Sequence, residues 1–153
     1  MTSESQAQSA ARSASGAESL RARLRPVLER VYEAFNRGDF DTAFAGIADD
    51  FEFHPDPSVL DRRVVRGRDE LIAYMRSARD AFPNWGFEPQ EYIDAGASKL
   101  IVRGMLGGVG GGSGLEVRIE AFMVYETEGG VLARLYEFGD REAAFERAGL
   151  AGP

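Results

Sequence analysis

His54 and Asp56 stand two residues apart at the end of a short apolar run, and Arg134 and Tyr136 stand two apart in a later one. Proton transfer is the chemistry these types can do. A histidine beside a carboxylate can act as a general base near neutral pH, and a phenol can donate a hydrogen bond to a carbonyl oxygen without titrating there. An arginine on the same strand face can stabilise an anion. Asp56 is then the candidate base, Tyr136 the candidate donor and Arg134 the candidate anion partner. Alternation from Phe51 and Phe53 gives His54 a second reading, outward to solvent or into a supporting loop contact. The chain has no cysteine and one histidine, which excludes thiolate nucleophiles, disulfides and thiolate-held metals. A metal centre would have to draw on scattered carboxylates. No metal, nucleotide or other cofactor is expected.

The elements that must position these groups fit in one domain. At 153 residues, 44% hydrophobic and 28% charged, the chain has the composition of a globular protein with a single core. A net charge of −7 argues against a phosphate backbone as partner. No apolar stretch approaches a membrane span, and residues 1–18, rich in Ser, Ala and Gln, lack the apolar run of a secretory leader. Residues 1–18 read as a disordered tail, residues 19–150 as the domain, and the cytoplasm as the expected compartment.

Leu24, Leu28, Val31 and Phe35 fall at helical spacing, with Pro26 placing the start of regular helix near Arg25. Gly38 ends that helix, Asp39 caps a short second one, and Phe51 to His54 is extended. A third helix begins after Gly67 and runs to Phe82, before Pro83. Four strands follow, roughly over 86–94, 99–106, 115–126 and 131–139, and pair as consecutive hairpins. A last helix starts at an Asp140 cap and buries Ala144, Phe145 and Ala148. The glycine-rich run Gly107 to Gly114 joins two strands with no lysine after it, so it reads as a hairpin connection and not as a phosphate cradle.

In this order and spacing, Phe35-Asn36-Arg37-Gly38-Asp39, Ala48-Asp49-Asp50-Phe51, Arg66-Gly67-Arg68-Asp69-Glu70-Leu71, Gly112-Ser113-Gly114 and Asp140-Arg141-Glu142-Ala143 resemble the nuclear transport factor 2-like superfamily. The closer resemblance is to its SnoaL-like branch, which includes ketosteroid isomerase-like proteins. It covers about Leu20 to Leu150. The resemblance implies an α+β fold, a cone-shaped barrel of curved antiparallel sheet covered by N-terminal helices, with a deep pocket and frequent dimerisation. Members include isomerases, polyketide cyclases, epoxide hydrolases, dehydratases and simple binders. The family's catalytic positions match poorly. The isomerase tyrosine falls on Val31, beside Tyr32. The isomerase base falls on Pro55, beside Asp56, and the second acidic donor on Ala121. The epoxide hydrolase positions fall on Val102, Gly104 and Tyr136.

Two-residue alternation predicts an inward set of Phe53, Val102, Leu106, Ile119, Ala121, Met123, Tyr136 and Phe138, with Arg134 deeper on the same face. Such a set serves either as core or as the lining of a pocket for a hydrophobic small molecule. Trp85 closes the pocket mouth or anchors the third helix. Ile101, Met105, Phe122, Val124, Ala133 and Leu135 should point away from the helices, an apolar patch suited to a homodimer. Two functions fit: cofactor-independent acid–base chemistry on an apolar cyclic or polyketide-like substrate, as an isomerase or cyclase, or non-catalytic binding of such a molecule or of a partner chain.

Overall fold

The computed structural model describes residues 19–59, 63–110 and 112–150, so the expected N-terminal tail lies outside the described residues. Helix α1 (Leu20–Asn36) starts earlier than its proline suggested: Ser19 caps it by accepting the Ala22 N–H at 3.1 Å, and Pro26 lies inside it. Burial explains the difference. Leu20 and Leu24 are packed against the sheet with Leu28, and their burial outweighs the backbone bond that Pro26 removes. Asp39 caps α2 (Phe40–Ala43) through the Thr42 N–H. Strand β1 (Glu52–His54) leads to a two-residue strand β2 (Val65–Arg66) and then to α3 (Gly67–Ala81). Gly67 adopts φ +78°, and an added Cβ would meet the Asp49 carbonyl at 2.8 Å, so glycine alone fits this entry to the helix.

Strands β3 (Gly86–Asp94), β4 (Lys99–Val109), β5 (Glu116–Glu128) and β6 (Val131–Phe138) pair as successive antiparallel hairpins, as their alternation predicts. Gly107 and Gly108, expected in the connecting loop, continue β4. A Cβ on Gly107 would meet the Val117 carbonyl at 2.1 Å, so the glycine permits close pairing with β5. The sheet runs in the order β2-β1-β6-β5-β4-β3. One pairing departs from an all-antiparallel sheet: β1 lies parallel to β6, with His54 opposite Tyr136.

The helices α1, α2 and α3 cover the inner face, where Val102, Ala121, Met123 and Tyr125 join Leu24 and Leu28 in the core. The outer face is covered in part by α4 (Arg141–Arg147), capped by Asp140 as expected. Ile101, Phe122 and Val124 do point outward, yet they are buried against Ala144 and Ala148. The apolar patch expected to be open for a second copy is therefore largely covered by the chain's own last helix.

Candidate functional site

Between the helices and the inner sheet face lies a cavity of about 320 Å³. Helix α1 contributes Leu28, Val31, Tyr32 and Phe35; α3 contributes Leu71, Tyr74 and Met75; Trp85 and Phe87 close the side toward β3. The sheet supplies Phe53, Leu106, Met123, Tyr125, Leu132, Leu135 and Glu137. Among the described residues that line it, ten are aromatic and Glu137 alone is charged.

Glu137 reaches the cavity because β6 changes parity. Glu126 pairs with Arg134 but Thr127 pairs with Leu132, so Ala133 is an extra residue, a bulge. Before the bulge Leu132 faces inward; after it Leu135 and Glu137 do. Alternation carried unbroken from Leu132 points Arg134, Tyr136 and Phe138 inward, and the bulge turns all three to the outer face. Register agrees, since Tyr136 lies opposite Val124 and Phe138 opposite Phe122, both outward residues. The sequence does hold a signal for this. Leu132 and Leu135 are three apart, and two inward residues at that spacing in a strand require an inserted residue.

The side chain of Glu137 is half-buried, and its Oε1 accepts the backbone N–H of Asp56 at 3.2 Å. Burial raises its pKa above the ordinary glutamate value, and the nearby Asp56 charge adds to the rise, while the Asp56 N–H opposes it. On the neighbouring strand Tyr125 shares a buried hydrogen bond with Tyr32 of α1, hydroxyl to hydroxyl. Burial keeps both phenols protonated well above their usual range. Tyr125 lies opposite Leu135 and Glu137 opposite Met123, so the carboxyl and the phenol pair occupy diagonal inward positions, about 7–8 Å apart at the backbone.

The residues singled out from sequence divide into three groups. Tyr32, Phe53, Trp85 and Met123 line the cavity. Val102 and Ala121 face the same way but are packed into the core beneath α1. Tyr136, Phe138 and His54 line a separate outer pocket of about 380 Å³, with Pro55, Pro57, Arg63, Val64 and Arg147, and Glu137 also borders it. There His54 stacks on Tyr136 with ring centroids 4.1 Å apart, and Arg147 lies over the same phenol at 3.8 Å and donates to its hydroxyl at 2.8 Å. His54 thus pairs with Glu52 at 3.0 Å and not with Asp56. The Asp56 carboxylate accepts from the backbone N–H groups of Ser58 and Gly139, holding the loop after β1 to the end of β6. Arg134 pairs with Glu126 at 2.9 Å and Glu128 at 2.8 Å.

No cluster of metal-ligating side chains occurs among the described residues, and no helix there is long and apolar enough to cross a membrane. A family model described as the SnoaL-like domain matches residues 28–135. No curated protein matches the chain. Among solved structures, an NTF2-like protein of unknown function from Burkholderia pseudomallei K96243 is 21% identical, with a TM-score of 0.66 over 84% of this chain and 97% of that one. A protein from Jannaschia sp. CCS1, provisionally described as a SnoaL-like polyketide cyclase, is 16% identical, with a TM-score of 0.62 over 84% and 92%. Another with a provisional polyketide cyclase description, from Xanthomonas campestris pv. campestris, is 18% identical, with a TM-score of 0.61 over 85% and 99%. At these identities the likeness is one of fold.

Proposed function

The chain belongs to the SnoaL-like domain family, and from that premise we propose that its cavity binds a small hydrophobic molecule on which Glu137 moves a proton. The reading is cofactor-independent isomerisation or cyclisation of an apolar cyclic or polyketide-like substrate. One observation carries it: among the described residues a single carboxyl, raised in pKa by burial, lines an otherwise uncharged, apolar and aromatic cavity. A base is most effective when its pKa approaches the working pH, which is the direction in which burial moves Glu137. With a substrate carbonyl at the Tyr32–Tyr125 pair, the carboxylate takes a proton from the adjacent carbon. The electron pair then moves onto the carbonyl oxygen, where a phenol O–H stabilises the enolate. Return of the proton to another carbon isomerises the molecule; attack of the enolate carbon on a second carbonyl closes a ring.

Carbon-bound deuterium exchange tests this. A hydrophobic cyclic ketone found by thermal-shift screening should exchange its α-protons in D₂O in the presence of the protein, and Glu137→Gln should slow that exchange at least about 100-fold while retaining binding. Equal exchange by parent and variant would remove Glu137 from the chemistry. A second reading, a non-catalytic binding or interaction module of the same fold, is favoured by the small number of polar groups in the cavity. Binding without exchange by the parent would select it. We include a homodimer and a cytoplasmic setting in the proposal: a second copy would use the open part of the outer sheet face around Arg103, Met105 and Glu120, and the absence of cysteine suits a reducing compartment.

A further inference from the structure

Among the described residues the cavity holds charge of one sign only. Glu137 is its one charged group, and no Lys, Arg or His side chain lines it among the described residues. Oε1 of Glu137 receives the Asp56 N–H, and Oε2 has no hydrogen-bond partner among those residues. The basic groups of the outer pocket are directed elsewhere: Arg147 binds Glu126 and Tyr136, His54 binds Glu52, and the Arg63 guanidinium lies over the Tyr74 ring, 5.9 Å from its centroid. Among the described residues that line the cavity this carboxylate has no counter-charge, and a ligand can bring one.

The rings that line the same cavity supply the rest of such a site. Tyr74 meets Phe53 edge-on at 5.6 Å, Tyr32 is tilted on Phe87 at 4.9 Å, and Phe82 is tilted on Trp85 at 5.2 Å. Aromatic faces carry partial negative charge and attract cations, most strongly where water is excluded. A neutral molecule gains from the apolar walls but leaves the carboxylate unpaired, and an acid adds repulsion to that. We propose that the cavity selects hydrophobic amines, which enter as ammonium ions with the nitrogen at Glu137 and the apolar body among the rings. The proposal rests on the reading that the cavity takes a small hydrophobic molecule. An amine there would compete with any neutral substrate for the same carboxylate.

Isothermal titration near neutral pH with three matched compounds tests it: 2-(2-naphthyl)ethylamine, 2-(2-naphthyl)ethanol and 2-naphthylacetate. The amine should bind roughly tenfold or more tighter than the alcohol, the alcohol tighter than the acid, and Glu137→Gln should bring amine and alcohol to equal affinity. Glu137→Met, close in volume and neutral, serves the same comparison if the Gln variant does not fold. Equal binding of amine and alcohol by the parent overturns the selectivity and leaves the cavity reading standing. An amine preference that survives both substitutions also overturns it, since the charge would then lie elsewhere. Failure of all three compounds to bind removes the selectivity and the cavity reading together.

Discussion

A single carboxylate side chain makes opposing demands on this protein. Glu137 has its pKa raised by burial, so its contribution to stability is present while the group is protonated, below the ordinary glutamate range, and is lost as pH rises through the folded-state value. Near neutral pH the ionised form therefore opposes folding. Glu137→Gln keeps the acceptor for the Asp56 N–H and removes the charge, so its melting temperature at neutral pH should exceed the parent's. About 1 kcal/mol corresponds to a rise on the order of 2–4 °C in a chain this size. The gap should close on acidification, and thermal unfolding followed by circular dichroism at neutral and acid pH gives the answer. A variant no more stable than the parent at neutral pH would contradict the account. Tyr136 has the opposite character: a phenol expected to face a ligand is stacked between the imidazole of His54 and the guanidinium of Arg147, and its hydroxyl is held by that arginine.

At the level of elements, legibility follows the regularity of the pattern. Leu24, Leu28 and Phe35 repeat at helical spacing, and Ala121 and Met123 alternate with Phe122 and Val124, so α1 and the face assignment of β5 are readable without a structure. Pattern fails where tertiary contacts alter the local geometry. Pro26 suggests a late start, but burial of Leu20 and Leu24 extends α1 across it; the extra Ala133 reverses β6 and with it the identity of the site residue. A parallel partner for β1 leaves no local mark at all, because it depends on where a strand some eighty positions later is laid down. The outer helix α4 is held by a buried carboxylate. Glu126, 4% exposed, accepts from Arg147 at 2.8 Å and Arg134 at 2.9 Å and lies 3.6 Å from Lys99. Burial alone would raise its pKa, but the bonds from Arg147 and Arg134 and the charge of Lys99 outweigh it, and the net shift is downward. Its stabilising effect is therefore present above the ordinary glutamate pKa and lost as pH falls through the lowered folded-state value. Glu126→Gln should cost about 1–3 kcal/mol at neutral pH, with parent and variant converging in acid. Urea midpoints across that range measure both; an unchanged midpoint at neutral pH would show that the cluster does not secure α4.

For the whole molecule, the covered outer face changes what self-association can rest on. With Ile101, Phe122 and Val124 buried beneath α4, the face left to a second copy is largely charged: Arg103 bonds Glu91 at 2.9 Å and Glu120 at 3.2 Å, and Arg118 pairs with Glu88 at 3.5 Å. A homodimer through this face should accordingly weaken with salt, because exposed ion pairs are screened within about 8–10 Å at physiological ionic strength. Sedimentation equilibrium at micromolar concentration should find a species above the 16.7 kDa chain mass at low salt, dissociating as salt is added. A 16.7 kDa species alone at low salt would rule the dimer out. The sheet order has a consequence in time. Strand β6 sits between β1 and β5, so the last strand to be synthesised is the one that joins the two parts of the sheet. At about 5–20 residues per second, β1, paired on one side with β2, waits on the order of 4–16 s for its second neighbour β6, and until then the aromatic faces of α1 and α3 have no completed wall to close against. A ribosome stalled before Val131 would therefore hold a sticky, half-roofed intermediate, and slow codons in the β5 segment would lengthen the period in which chaperones must shield it.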